Sequence, residues 1–182
     1  MKWIVTLVLA TAMMGSPAKP APGDSVPWQS IFKSVAGPRW IDRAAQCEAE
    51  SGFNADAKSP VGAVGPCQFM PATWREWAKP PSAPPNDPDY AIPAQHGFMT
   101  YLEGRSGSLN AALGSYNAGL GSYLKAKRLS DSLGLPGVDS WLQALPKVTG
   151  TVHAAETQGY IVHNAKFRSA IQAKVGKSMT PP

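Results

Sequence analysis

The sequence predicts a mainly α fold with one small β-like excursion, and three observations carry that prediction. Apolar residues recur at helical spacing through most of the chain, and Gly or Pro stands between most of the periodic segments. A single Gly-rich stretch, SPVGAVG at Ser59–Gly65, is too short for a helix and reads as a turn or minimal hairpin. With 182 residues and 43% apolar content there is material for one domain of ordinary size with its own core. No self-similar period is present, which removes solenoid architectures.

At the start, Lys2 precedes the apolar run Trp3–Met14, which gives way to Gly15, Ser16, Pro17 and Ala18. A charged start, a short apolar core and small residues after it are the layout of a secretory signal. The run is shorter than the roughly 20 residues that span a bilayer. Residues 1–18 are therefore expected to be a signal peptide, either cleaved near Ala18 or retained as an anchor, with the protein exported to the periplasm, cell envelope or exterior. Both cysteines would then meet an oxidising compartment. Residues 19–27 are rich in Pro, Ala, Gly and Ser and read as a linker. The domain proper is expected over 28–178.

Trp28–Gly37 has the spacing of a short helix, ended by Gly37-Pro38. A second helix is expected from about Arg39 to Glu50, with Gly52 just past its end. PATWREWAK starts with Pro71 in the first-turn position that proline tolerates. Pro80–Tyr90 carries five prolines in eleven residues and predicts an extended surface loop. Helical patterns resume at Ile92–Glu103, Leu109–Tyr116, Ser122–Arg128, Val138–Leu145 and Val152–Val175.

Seventeen Lys+Arg against twelve Asp+Glu give a net charge of +5, an excess that suits an acidic polymer or anionic surface, or simply solubilises. No block is long enough for a nucleic-acid arm and no nucleic-acid-binding motif accompanies it. The sequence has no HExxH, no CxxC, no Gly-x-Ser-x-Gly and no phosphate-cradling Gly-rich loop. His96, His153 and His163 have no metal-ligand spacing, so no metal or cofactor is expected. Ser59 and Cys67 lack a neighbouring His in sequence, which leaves a nucleophilic triad unsupported.

The acids remain, and Glu50 has the most suggestive surroundings. A carboxylate in the last turn of a helix faces the partial negative charge of unsatisfied carbonyls, which disfavours ionisation and favours holding a proton for general acid work. Helical periodicity points elsewhere: Ile41, Ala44 and Ala45 form an apolar arc with Glu48 at its middle and Glu50 nearly opposite. On the residues alone, an ordinary solvated helix-end carboxylate is the other reading of Glu50.

ESGFNADAKSPVGAVGPCQFMPATW (Glu50–Trp74) resembles the first signature block of the soluble lytic transglycosylases, glycoside hydrolases that cleave peptidoglycan and share a lysozyme-like fold with goose-type lysozyme. ALGSYNAG (Ala112–Gly119) resembles the second block and AAETQGYI (Ala154–Ile161) the third, in the family's order. The resemblance implies an α+β lysozyme-like fold in which the β-like excursion forms one wall of a cleft. It implies Glu50 as sole catalytic acid and base, and Ser59, Gln68 and Met70 lining the cleft. Tyr116, with its hydroxyl near the acid, and Asn117 come from the second block. Glu156 and Tyr160, from the third, are expected to close or back the cleft. Pro66-Cys67 departs from the Leu-Met common in relatives, so the apolar contact expected there is not carried over.

Gly62 and Gly65 would then let the backbone approach a sugar chain. Cys47 precedes Glu50 by about one helical turn and Cys67 immediately precedes Gln68, so a Cys47–Cys67 bridge would pin the helix to the turn, two buried free thiols being the alternative. With one carboxylate, the substrate must help: the C6 hydroxyl of N-acetylmuramic acid would attack C1, leaving a 1,6-anhydro end. The alternatives are a goose-type hydrolytic lysozyme and a non-catalytic wall-binding assembly component. Expected partners are peptidoglycan strands and a cell-envelope-spanning secretion, conjugation or phage-entry apparatus.

Overall fold

A computed structural model describes residues 18–178. The expected signal at residues 1–18 therefore lies, apart from Ala18, outside the described residues. Eight α-helices follow one another among the described residues: α1 (Gln29–Ala36), α2 (Trp40–Ser51), α3 (Pro71–Trp77), α4 (Pro88–Ser106), α5 (Leu109–Ala118), α6 (Leu120–Ser132), α7 (Trp141–Thr149) and α8 (Thr151–Ser178). The hairpin did not materialise as strands. Residues 57–69 carry isolated antiparallel bridges, Lys58 with Val64 and Val64 with Phe69. Val64 sits in both, because Gly62 and Gly65 at φ 90° and 85° reverse the chain too often for a strand to extend. No helix among the described residues is long and apolar enough to cross a membrane.

The chain divides into two compact units, one of residues 99–162 and one of residues 18–98 with 163–178. In the second, Phe32, Ala44, Cys47, Phe53, Trp74, Ile92 and Ile171 are among the buried apolar residues. Aromatic edges lock it: Phe53 meets Trp28 and Phe32 at ring-centroid distances of 5.9 and 6.4 Å, and Phe69 meets Trp74 at 5.2 Å. The segment expected as a linker is drawn in, with Val26 buried and the Ser25 amide donating to Gln29 Oε1 at 3.0 Å. The Ala18 amide donates to the Phe53 carbonyl at 3.1 Å.

Local chemistry sets the helix ends. A 3-10 turn over Gly37–Arg39 separates α1 from α2 at the Gly-Pro pair. Gly52 closes α2 in the left-handed region at φ 62°, its amide donating to the Glu48 carbonyl at 2.8 Å. Asp42 in the first turn of α2 pairs with Arg39 at 2.8 Å and with Arg168 of α8 at 3.6 Å. Pro71 opens α3 as expected.

The proline-rich stretch differs from the expected surface loop at both of its ends. Trp74 Nε1 donates to the Ala83 carbonyl at 2.8 Å, and Ala83 is buried, so the loop is fastened to α3. At the other end α4 has already begun at Pro88. Asp87 starts it, its carboxylate accepting the Asp89 amide at 2.9 Å and its carbonyl the Ala91 amide at 2.8 Å.

In the unit of residues 99–162, Ser108 caps α5 by accepting the Ala111 amide at 3.2 Å. Trp141 is buried over Gly114, where a Cβ would strike its indole, and meets the Tyr123 ring edge-on at 5.2 Å. Tyr123 donates to the Ser106 carbonyl at 3.0 Å, and Ser130 to Ser140 Oγ at 2.7 Å. Helix α7 starts at Trp141 rather than at Val138, whose side chain is 91% exposed.

Cys47 and Cys67 form a disulfide, with Cα atoms 4.4 Å apart and both residues fully buried. Replacing both with Ser removes a cross-link over 20 residues of separation. In the chain-entropy picture this should lower the unfolding free energy by about 3 kcal/mol. Urea denaturation measures it, and an unchanged midpoint would show that the bridge adds nothing to stability.

Candidate active site

The residues singled out from sequence divide between the two units. Glu50, Ser59, Gln68 and Met70 belong to one, and Tyr116, Asn117, Glu156 and Tyr160 to the other.

Glu50 stands half-buried in the last turn of α2. The residue after it, which sequence reasoning passed over, fixes the surroundings. Ser51 Oγ donates to the Pro66 carbonyl at 2.7 Å and accepts the Asn54 amide at 3.1 Å. Asn54, buried, accepts the Asp56 amide on Oδ1 at 3.0 Å. The signal was in the sequence as Ser and Asn three apart across a helix end, the pattern of side chains that bond local backbone.

The turn that follows is held by its own polar groups. Ser59 Oγ accepts the Ala63 amide at 2.9 Å. Gln68 takes a left-handed backbone, φ 49°, and its Nε2 donates to the Gly65 carbonyl at 2.9 Å and the Ala57 carbonyl at 3.2 Å. A non-glycine residue in that region needs such over-determination. Met70 is extended and half-buried immediately before α3. Gly65 departs from its expected role, since a Cβ there would strike the Pro85 carbonyl and crowd Asn86. It admits the chain's own proline-rich loop rather than a sugar. Gly62 faces open space at φ 90°. Asp56 is exposed and accepts from Asn86 Nδ2 at 3.4 Å.

In the other unit, Tyr116 and Glu156 are half-buried, on α5 and α8. Asn117 is buried, its Oδ1 accepting from Thr157 Oγ1 at 2.8 Å, which ties α5 to α8. Tyr160 is fully buried.

Helix α2 is buried on both its apolar and polar sides. Arg43, Ala44, Ala45, Gln46 and Cys47 are buried in succession. Gln46, one turn before Glu50 on the same side, accepts from Gln95 Nε2, and Arg43 Nε donates to His96 Nδ1 at 3.4 Å. Glu48 lies on the apolar arc, with Oε2 buried and without a hydrogen-bond partner. Burial holds its proton affinity above the ordinary glutamate range, against the opposing pull of Lys174.

A profile for the family described as Transglycosylase SLT domain matches residues 44–134. Among solved structures the chain is similar to the 70-kDa soluble lytic transglycosylase from Escherichia coli, with 24% identity and a TM-score of 0.67, covering 82% of this chain and 24% of that one. A complex of the 70-kDa soluble lytic transglycosylase with bulgecin A shows 23% identity and a TM-score of 0.62, at the same coverage of each chain. An inactive glutamate-to-glutamine mutant of lytic transglycosylase Slt from Pseudomonas aeruginosa shows 21% and 0.64, again covering 82% of this chain and 24% of that one. These likenesses establish the fold, and the chain spans about a quarter of the length of the structures it matches. No curated protein matches the chain.

The raised proton affinity of Glu48 gives a stability signature. Because the folded state holds this proton more tightly than the unfolded state, its contribution is fully present below the ordinary glutamate value of about 4.5 and is lost as pH rises through the higher folded value. Glu48→Gln should match the parent near pH 4 and become progressively more stable than it toward pH 7. Denaturant titrations across that range check this. A variant that loses stability relative to the parent as pH rises would mean that the attraction to Lys174 outweighs burial.

Proposed function

The chain belongs to the transglycosylase SLT domain family, and on that ground we propose that it is a peptidoglycan lytic transglycosylase with Glu50 as its sole catalytic acid and base. The observation that carries the reading is the fixed setting of Glu50. It stands between Cys47, bonded to Cys67, and Ser51, bonded to Pro66, so both flanks are tied to the turn that holds Ser59 and Gln68. The Pseudomonas aeruginosa lytic transglycosylase supports it from outside, since that enzyme is inactive as a glutamate-to-glutamine mutant.

Between Ser51 and Arg75 the only acidic residue is Asp56, and its carboxylate is exposed and engaged with Asn86. One carboxylate suffices if the substrate supplies the nucleophile. Glu50 gives its proton to the glycosidic oxygen as the bond to C1 of N-acetylmuramic acid breaks, and the 2-acetamido group stabilises the charge that develops. The C6 hydroxyl then bonds to C1 and passes its proton to Glu50, which ends as it began. The product is a 1,6-anhydro end with no water consumed. An already bound hydroxyl has the effective-concentration advantage of an intramolecular group.

Ser59, Gln68, Met70, Tyr116, Asn117, Glu156 and Tyr160 remain the proposed binding set. Gln68 and Ser59 act by holding the turn, and Asn117 and Tyr160, being buried, by backing their unit. Such a reaction calls for export to the cell wall, for which the apolar N-terminal run is the supporting feature. The proposed partner is peptidoglycan alone, since none of the similar structures points to a secretion-apparatus partner.

Glu50→Gln keeps the side chain's shape and removes the proton donor. Wall cleavage should fall at least about 100-fold, the lower end for general acid catalysis, with an unchanged melting curve. Substantial cleavage by a folded variant would end the assignment. Mass spectrometry of digested sacculi should show 1,6-anhydromuramic ends, each fragment lighter by one water than the hydrolysis product. Reducing ends instead would replace the transglycosylase by a goose-type hydrolase, with Asp56 as the group to test for water positioning.

A further inference from the structure

Glu156 is the last acidic residue of the sequence, and Lys166, Arg168, Lys174 and Lys177 follow it. Four of the chain's five net positive charges therefore sit in its final segment. The structure sorts them. Arg168 turns to Asp42, 3.6 Å away. At about 100° per residue, His163, Lys166, Lys174 and Lys177 fall within an arc of about 80° on α8. All four are exposed, and Ala170 and Ala173 between them are small and exposed too. Phe167, Ile171 and Val175, on a different side of the same helix, pack against the core of their unit. Lys174 is drawn toward Glu48, an acid that acts on the stripe from a neighbouring element.

The three lysines concentrate one sign of charge along about 16 Å of helix from Lys166 to Lys177, since each residue advances about 1.5 Å. We propose that this stripe is a docking surface for the carboxylates of peptidoglycan peptide stems, a second contact with the polymer besides the turn beside Glu50. The inference rests on the wall-cleaving function proposed above. An anionic membrane is the poorer fit: a helix lying in a bilayer interface presents large apolar residues. Here Phe167, Ile171 and Val175 are spent on the protein's own core.

Binding is measured on intact sacculi with Glu50→Gln as the background, so that digestion does not remove the ligand. Adding Lys166→Gln, Lys174→Gln and Lys177→Gln should weaken binding about tenfold at low salt, and raising salt to about 0.3 M should do the same to the parent as screening shortens. Sacculi with amidated carboxyl groups should reproduce the loss. Lys166→Glu alone, at an exposed position, should weaken binding in the same direction if the triple variant fails to fold. Undiminished binding by the folded variants would overturn the proposal, as would lysine-dependent capture by anionic vesicles with lysine-independent capture by sacculi. The two readings fail separately. Anhydro products with lysine-independent binding sink the docking surface and leave the enzyme, whereas lysine-dependent binding without cleavage by the unaltered chain sinks the enzyme and leaves the anionic surface.

Discussion

The end of α2 is tied to the following turn by two bonds of different kinds, and the setting of Glu50 depends on both. The Cys47–Cys67 bridge limits how far the turn can move from the helix. The Ser51 hydroxyl, donating to the Pro66 carbonyl at 2.7 Å, sets which way the turn faces, because that bond is directional. Glu50 lies between the two anchors, so its freedom is reduced to its own side-chain torsions. In the proposed role, in which Glu50 gives a proton to one oxygen and takes one from another, such fixing is an advantage. Gln68 extends the restraint across the turn, with two backbone carbonyls held by one side-chain amide.

Placing this end of α2 inside the protein has a cost that the rest of the unit offsets. Arg43 and Gln46 are buried, and buried polar groups destabilise unless bonded. His96 and Gln95 of α4 answer them in part. Gln46 Nε2, Gln95 Oε1 and Glu48 Oε2 are still buried without a hydrogen-bond partner. The aromatic group of Trp28, Phe32 and Phe53, the Phe69–Trp74 pair and the disulfide are the compensating terms nearest to hand. Polar density of this kind around one helix end is where a protein trades stability for a site.

How much of this was legible in the sequence depended on whether the governing force was local. Helix ends set by Gly or Pro were readable: Gly37-Pro38, Gly52 and Pro71 fall where their backbone preferences put them. Two starts were misplaced for identifiable reasons. The density of prolines hid the Asp87 cap of α4, and the apolar Val138 read as helix although it is solvent-exposed. Periodicity describes only part of α2, because it assumes one wet face. That helix is buried on its polar side as well, so the arc correctly found the apolar neighbours of Glu48 and said nothing of Glu50. Asn117 and Tyr160 could be recognised only as parts of a motif, since the burial of both and the Thr157 bond arise from packing between helices far apart in sequence.

Gly65 shows how a motif residue can be right and its reason wrong. Its lack of a side chain is required, but by the Pro85–Asn86 backbone, which would be struck by a Cβ. The proline-rich segment is then a buttress, joined to α3 at Ala83, to the turn at Gly65 and to Asp56 through Asn86. Prolines suit that task because each removes backbone freedom that would otherwise be lost on folding. A turn backed along one side can meet a bulky polymer only on the other. Within the turn, Pro60–Gly62 is an exposed stretch, with Val61 40% exposed and Gly62 facing open space. On the proposed function, close approach by a sugar ring falls to Gly62, while Gly65 makes room for the chain's own proline-rich loop.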